Sequence, residues 1–314
     1  MRATTIDGDA VRVHTREAWP LPAGGRTDAR WSRLVALGEH DLPLAKLVEP
    51  HHDAIAILTE LGAPRSAAAD EVWAVWAAEP PFAVLKAQQR PDGWRLTGRK
   101  AFCSGAAVVT HALVTAQTPD GARLFAIDLQ SDGISADPDG HEWRGSGMAR
   151  AATVTLAFDE VCADPVGAPG AYTERPGFWW GAIGIAAVWF GGARGVASVL
   201  EDAHGRLDAH GLAHLGAVRA ELDSLAMVLD AAARTADTEG LDTREVERLA
   251  LVVRQRASDV VDAVVTRVGR ALGPAPLAFD ADHAMRVADL QVFVRQHHAE
   301  RDLEHLGSLE RSDG

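Results

Sequence analysis

The sequence predicts an α+β chain of several domains: a helical N-terminal segment, a middle β-sandwich or barrel, and a C-terminal four-helix bundle. Three observations carry this expectation. Leu44, Leu47, Val48, Ile55, Leu58 and Leu61 recur at helical spacing. Residues 82–161 hold a series of short β-prone runs separated by turn signals. Long helical stretches with short connections then fill the chain beyond residue 176. The expected boundaries are 1–80, 81–165 and 166–314.

Residues 1–40 show little periodicity, and no element is assigned there. A helical pattern covers 41–62, with Pro50 expected to end one helix or begin the next and Gly62 to stop it. Residues 66–78 read as a short helix with Val72, Trp73 and Val75 or Trp76 on its apolar side. The period then changes. Ala83–Gln88, Trp94–Leu96, Lys100–Cys103, Ala112–Ala116, Leu124–Leu129 and Thr153–Phe158 read as strands. Pro91-Asp92-Gly93, Pro119-Asp120-Gly121, Ser131-Asp132-Gly133 and Pro138-Asp139-Gly140 supply turns between them. Strands at this spacing point to a sandwich or barrel rather than to βαβ units. Residues 162–176, rich in Pro and Gly, read as a linker. Helices are expected at about 177–204, 212–239, 243–272 and 281–306, the third with Thr243 as N-cap.

At 314 residues the chain can bury a sizeable core. Its net charge of -13 argues against nucleic-acid binding, which needs clustered cations to neutralise phosphates. Cys103 and Cys162 are the only cysteines, so neither a disulfide framework nor a four-Cys zinc site is available. No basic segment followed by an apolar run opens the chain, and a cytoplasmic location is expected. Between Arg175 and Arg194 there is no charge, a length that would suit a membrane span. Its glycines and alanines, and the lack of a flanking polybasic loop, favour a buried bundle helix and no membrane association.

Two segments carry a resemblance. Gly93-Trp94-Arg95-Leu96-Thr97-Gly98-Arg99-Lys100-Ala101-Phe102-Cys103-Ser104-Gly105 reads as strand, glycine turn and strand, ending in an aromatic, a small residue and a hydroxyl. Thr153–Val161 is a β-rich run ending in an acidic turn. With helices before and after, this order resembles the acyl-CoA dehydrogenase superfamily of flavoproteins over about residues 41–307, with a shortened N-terminal domain. The resemblance implies FAD as cofactor, although the sequence does not separate FAD from FMN. It implies an oxidoreductase acting on a small molecule such as an acyl-CoA. It also implies an oligomer, either of this chain or with a related subunit.

The cofactor residues follow from the same resemblance. Phe102 would pack on the flavin ring and Ser104 would hydrogen-bond near N5 or O4; read alone, they are a core aromatic and a turn residue. Ala78, in Trp76-Ala77-Ala78-Glu79-Pro80, stands where the family usually has a hydroxyl donor, and the usual Gly- and Ser-rich loop after it is missing. Thr153, after the Gly147-Met148 turn, would lie near the flavin or substrate mouth. Among His204, Arg194 and Arg206, Arg206 fits the pyrophosphate position best. Gly273 keeps a turn that faces a partner's FAD in the family, while Pro274 removes a backbone donor there.

The family's catalytic carboxylate motif is absent. His297 and His298 fall near its position and are the candidate catalytic residues, since an imidazole titrates near working pH. Flavin-dependent monooxygenases of this fold resemble the chain in that respect. A non-catalytic subunit that completes a partner dehydrogenase is the third reading. The pairs His51-His52, His210/His214 and His297-His298 lack an identified third ligand, so no metal site is assigned.

Overall fold

The computed structural model describes residues 4–64, 67–238 and 240–309. They form two compact units interleaved along the chain. The first takes in the chain to Trp19, Lys46–Gly145 and Ala149–Phe178; the second takes in Pro20–Ala45, Ser146–Met148 and the chain from Trp179 onward.

Helices open the chain: α1 (Gly8–Thr15), α2 (Thr27–His40) and α3 (Leu42–Glu60). The Asp7 side chain caps α1 by accepting the Asp9 N–H. Pro50 lies inside α3 and neither ends nor begins a helix. Burial of Leu47, Val48, Ala54 and Ile57 keeps the helix continuous across the missing hydrogen bond, so packing overrides the local penalty.

In the first unit, strands β1 (Trp73–Trp76), β2 (Leu85–Arg90), β3 (Gly93–Cys103), β4 (His111–Thr118), β5 (Gly121–Asp128), β6 (Ile134–Ala136) and β7 (Val154–Val166) form one sheet. The path runs β1-β4-β2-β3-β7-β5, and β5 pairs again with β4. The ring therefore closes as a barrel, which removes most open edges. The helix expected over 66–78 is instead strand β1, pairing in parallel with His111–Val114 of β4; residues 65 and 66 lie outside the described residues. Trp73, Ala74 and Trp76 are buried there, and bulky aromatic and β-branched side chains pack well on a pleated surface. The expected runs Trp94–Leu96 and Lys100–Cys103 are one strand that runs through Gly98, where the register with β7 shifts and a Cβ would sit 2.3 Å from the Val84 carbonyl oxygen. β7 likewise extends through Pro165 into the expected linker. Ala54, Ile57 and Leu58 of α3 pack with Trp73, Leu113, Leu124 and Val166 to make the core. A short helix, α4 (Ala171–Glu174), follows.

The second unit is helical: α5 (Pro176–Asp202), α6 (Ala209–Ala236), α7 (Thr243–Leu272), α8 (Ala275–Phe279), α9 (Ala281–Phe293) and α10 (Glu300–Ser308), with α2 against α6 and α6 against α7. The first residues of α5, up to Phe178, belong to the barrel unit. α5 is long and apolar enough to cross a membrane, and 78% of its most apolar window is buried inside the protein. Ile183, Val188, Trp189, Val196 and Leu200 are all at the core. Close approach explains its glycines: a Cβ at Gly191 would lie 2.1 Å from the Val35 carbonyl oxygen, and one at Gly38 of α2 would lie 2.2 Å from that of Val188.

The cap of α7 is Asp242 rather than Thr243. Its side chain accepts the Glu245 N–H, and Glu245 returns a bond to the Asp242 N–H. The helix expected over 281–306 is broken. α9 ends at Phe293, a 3₁₀ turn covers Val294–Gln296, and α10 begins at Glu300 after Ala299 at φ 47°.

Candidate functional site

On the barrel, β3 positions the first group. Alternation should send Phe102 outward and Cys103 inward, and this is what occurs: Cys103 is buried and the Phe102 side chain is half exposed. Phe102 also sits at φ 60°, a conformation rare and costly for an aromatic residue. The bulge between Lys100 and Cys103 accommodates it. Its ring meets Phe82 edge-on at 6.1 Å, and Phe82 lies 4.9 Å from the His141 ring.

Ser104, two residues beyond Phe102, is buried. Its hydroxyl lies 2.9 Å from the Thr153 hydroxyl at the start of β7. Its carbonyl accepts the Trp76 indole N–H at 3.2 Å, and the next N–H, of Gly105, donates to Ala151 at 2.9 Å. Gly105 is required here: φ is +70°, and a Cβ would press to 2.7 Å from Leu47. Trp76, Phe102 and Ser104 line one small depression with Lys46, Leu47 and Pro50. Burial pulls the Lys46 ammonium below its usual range, opposed by Glu49. Lys46 was not singled out from the sequence, because a lone lysine on an amphipathic helix reads as surface. The structure brings Phe102, Ser104 and Thr153 together, whereas Ala78 is exposed in the loop after β1.

In the helical unit, His297 and His298 occupy the break between α9 and α10. Arg254 of α7 organises the break. Its guanidinium donates to the Gln296 carbonyl and to the Ala182 carbonyl, each at 3.2 Å, and lies 4.8 Å above the Trp189 ring. His297 is buried edge-on to Trp189, and its Nδ1 accepts the Ala299 N–H at 3.2 Å. Its Nε2 has no hydrogen-bond partner and lies 3.7 Å from Asp302 of α10. Burial, then the Arg254 charge, lowers the His297 pKa, opposed by Asp302. His298 is exposed, with Nδ1 3.3 Å from the other Asp302 oxygen. Arg254 is not marked in the sequence because its partners lie on other elements, and Asp302, although only four residues beyond His298, reads as one more charge on a polar helix.

The remaining expected residues occupy separate connections of this unit. Arg206 is exposed at the end of a 3₁₀ turn between α5 and α6, and Gly273 caps α7 at φ 68°. Gly147 is fixed by packing on α9, where a Cβ would meet the Ala288 carbonyl oxygen at 2.3 Å, and the Met148 N–H donates to Asp289 at 2.5 Å. His210 and His214 share α6, and among the described residues no three His, Cys, Asp or Glu side chains gather as a metal-ligand set.

No protein-family model matches the chain. Among solved structures, KijD3 in complex with FMN and a dTDP-linked 3-amino-4-keto sugar superposes with a TM-score of 0.81 at 20% identity, over 99% of this chain and 89% of that one. Butyryl-CoA dehydrogenase from Megasphaera elsdenii matches with a TM-score of 0.81 at 16% identity, over 97% and 90%. The chain has the acyl-CoA dehydrogenase fold. TdsC from Paenibacillus sp. A11-2, solved with FMN and indole and described as a dibenzothiophene monooxygenase, shares that fold with a TM-score of 0.77 at 18% identity, over 96% and 94%. An amino sugar nitrososynthase, RubN8 from Streptomyces rubradiris, is 40% identical over 86 residues, which is 25% of this chain. The match spans about a fifth (19%) of that curated relative's length.

Proposed function

We propose that the chain is a flavin-dependent oxidoreductase of the oxygenase type, acting on a small molecule that carries an oxidisable nitrogen or sulfur. The observation that carries the flavin is the paired Ser104 and Thr153 hydroxyls beside the outward-facing, strained Phe102. A flavin needs an apolar wall and donors at its polar edge, and these residues supply both. Lys46 adds a hydrogen-bond donor to the same depression. Bound there, a flavin would accept hydride or, when reduced, supply electrons to O2; the chain's own part is to hold the ring, screen it from water and move protons.

Two features favour oxygenation over α,β-dehydrogenation of an acyl-CoA. A dehydrogenase base is a desolvated carboxylate, and the segment that would carry it offers His297 and His298 with Asp302 engaged between them. The relatives that match over nearly the whole chain include KijD3 and TdsC, both solved with FMN. FMN is also the flavin that the Gly273-Pro274 turn favours over FAD, because Pro274 offers no N–H to a pyrophosphate.

The test is a visible spectrum of the purified protein after incubation with FMN or FAD and gel filtration. Retention of about one flavin per chain, followed by reductase-dependent O2 uptake on addition of an amine or thioether, is expected. Reduction of a bound flavin by acyl-CoA without O2 uptake would restore the dehydrogenase reading. A colourless protein that copurifies with a related flavoprotein would make it a non-catalytic subunit.

A further inference from the structure

The two histidines at the helix break are not equivalent, and the hydrogen-bond geometry around them assigns different tasks. His297 Nδ1 already accepts the Ala299 N–H, so a neutral ring must carry its proton on Nε2. That N–H faces the Asp302 carboxylate at 3.7 Å. Its lone pair is occupied and its donor points at a fixed anion, so His297 has no free site with which to take a proton from a substrate.

His298 is arranged the other way. Its side chain is 65% exposed against 3% for His297, with Asp302 intermediate at 16%. Asp302 Oδ1 lies 3.3 Å from Nδ1, and Oδ2 accepts the His298 backbone N–H at 3.3 Å. A carboxylate 3.3 Å from Nδ1, at ion-pair distance, favours the proton on that nitrogen and leaves the Nε2 lone pair available. This is the logic of a base oriented by a third group.

We propose that Asp302 is the positioning residue of a histidine–carboxylate pair, that His298 Nε2 is its proton acceptor, and that buried His297 backs the carboxylate. The acceptor role rests on the redox reading above; the pairing does not. In the transfer, a substrate X–H bond breaks, the proton bonds to Nε2, the electron pair stays on X, and the imidazolium keeps its Nδ1 proton against Asp302. The groups around His297 are Arg254 and Asp259 from α7, Trp189 from α5, and His298 and Asp302. The Arg254 cation at the buried end opposes a second positive charge on His297.

Nitrogen-15 spectra of histidine-labelled protein test this without flavin or substrate, because the two neutral tautomers give distinct couplings between ring nitrogens and carbon-bound hydrogens. The expected result is neutral His298 as the Nδ1–H form and neutral His297 as the Nε2–H form. Asp302→Ala should switch His298 to Nε2–H and move the His297 titration to lower pH, whereas Asp302→Asn, whose amide oxygen still accepts, should preserve the Nδ1–H form. His298 as Nε2–H in the unsubstituted protein would overturn the proposal, and that spectrum suffices if Asp302→Ala fails to fold. A role for Asp302 confined to capping the α10 turn would lower the melting temperature and leave the His298 tautomer unchanged, which would also overturn it. A protein that binds no flavin yet shows these tautomers would sink the redox reading and keep the pair.

Discussion

Ser104 and Thr153 share one short contact between hydroxyls, and either one can be the donor. Each hydroxyl also has capacity to bond outward, and a ring edge bound beside Phe102 would use that capacity. Removing both by Ser104→Ala and Thr153→Val should weaken flavin retention about tenfold, corresponding to roughly 1.4 kcal/mol. Fluorescence titration with FMN checks this; unchanged affinity would place the flavin elsewhere. Phe102→Gly should relax the strained φ and stabilise the protein to heat while reducing flavin retention. Opposite movement of the two readouts is the signature of strain kept for binding. In the sequence this group is reached only through the family resemblance, because alone Phe102 reads as a core aromatic and Ser104 as a turn residue, and their proximity to Thr153 comes from pairing of distant strands. Arg254 is not legible, because its meaning comes from contacts with α5 and the break after α9, and Asp302 is not, because an i,i+4 charge pair on a polar helix reads as solvated surface.

At the scale of elements, the errors of sequence reasoning have a common source. The sequence pattern reads β1 as helix and α9–α10 as one continuous helix, since both segments carry apolar residues at spacings that local pattern cannot arbitrate. Pairing with β4 decides the first. In the second, Arg254 takes the Gln296 carbonyl and His297 takes the Ala299 N–H, so side chains occupy backbone groups that a continuing helix would need. The hairpins β2–β3 and β4–β5 are legible because Pro91-Asp92-Gly93 and Pro119-Asp120-Gly121 mark their turns, whereas β1 carries no such bracket. Two helix glycines make a quantitative contrast, Gly191 of α5 and Gly216 of α6. Gly191→Ala, which would press on the Val35 carbonyl oxygen at 2.1 Å, should destabilise by about 1–3 kcal/mol. Gly216→Ala on α6, with nothing within 4 Å of a new Cβ, should stabilise by about 0.5–1 kcal/mol. Urea melts of the two variants provide the check, and equal effects would refute the close crossing of α2 and α5.

For the whole molecule, two buried bases set how stability responds to pH. Burial pushes the Lys100 ammonium down to about 8, although its Nζ donates to the Thr115 carbonyl and hydroxyl at 2.7 Å. Burial also pushes His51 down to about 4, with its Nδ1 accepting the Trp73 N–H. In both cases the unfolded chain binds a proton that the folded protein resists. Unfolding free energy should therefore rise as pH increases from about 8 to 10.5 and fall as pH drops from about 6.5 to 4, each arm being on the order of 3 kcal/mol. Lys100→Met should flatten the alkaline arm and His51→Gln the acid arm, as read from urea unfolding across pH. Arms that persist in the variants would assign the dependence to other groups.

The interleaving of the two units governs how the chain is made. Translation delivers α2 first, with Trp31 and Leu34 bound for a helical core, yet α5 and α6 of that core follow only after the whole barrel sequence has been synthesised. At about 5–20 residues per second, the delay between α2 and α5 is on the order of 10–30 s. During that interval the nascent chain exposes an apolar helix whose partners do not yet exist. No contiguous fragment contains either unit alone, so truncations meant to isolate the barrel or the helices would remove part of the other's interior. Chaperone occupancy on the ribosome should accordingly begin with α2 and end once α6 has emerged.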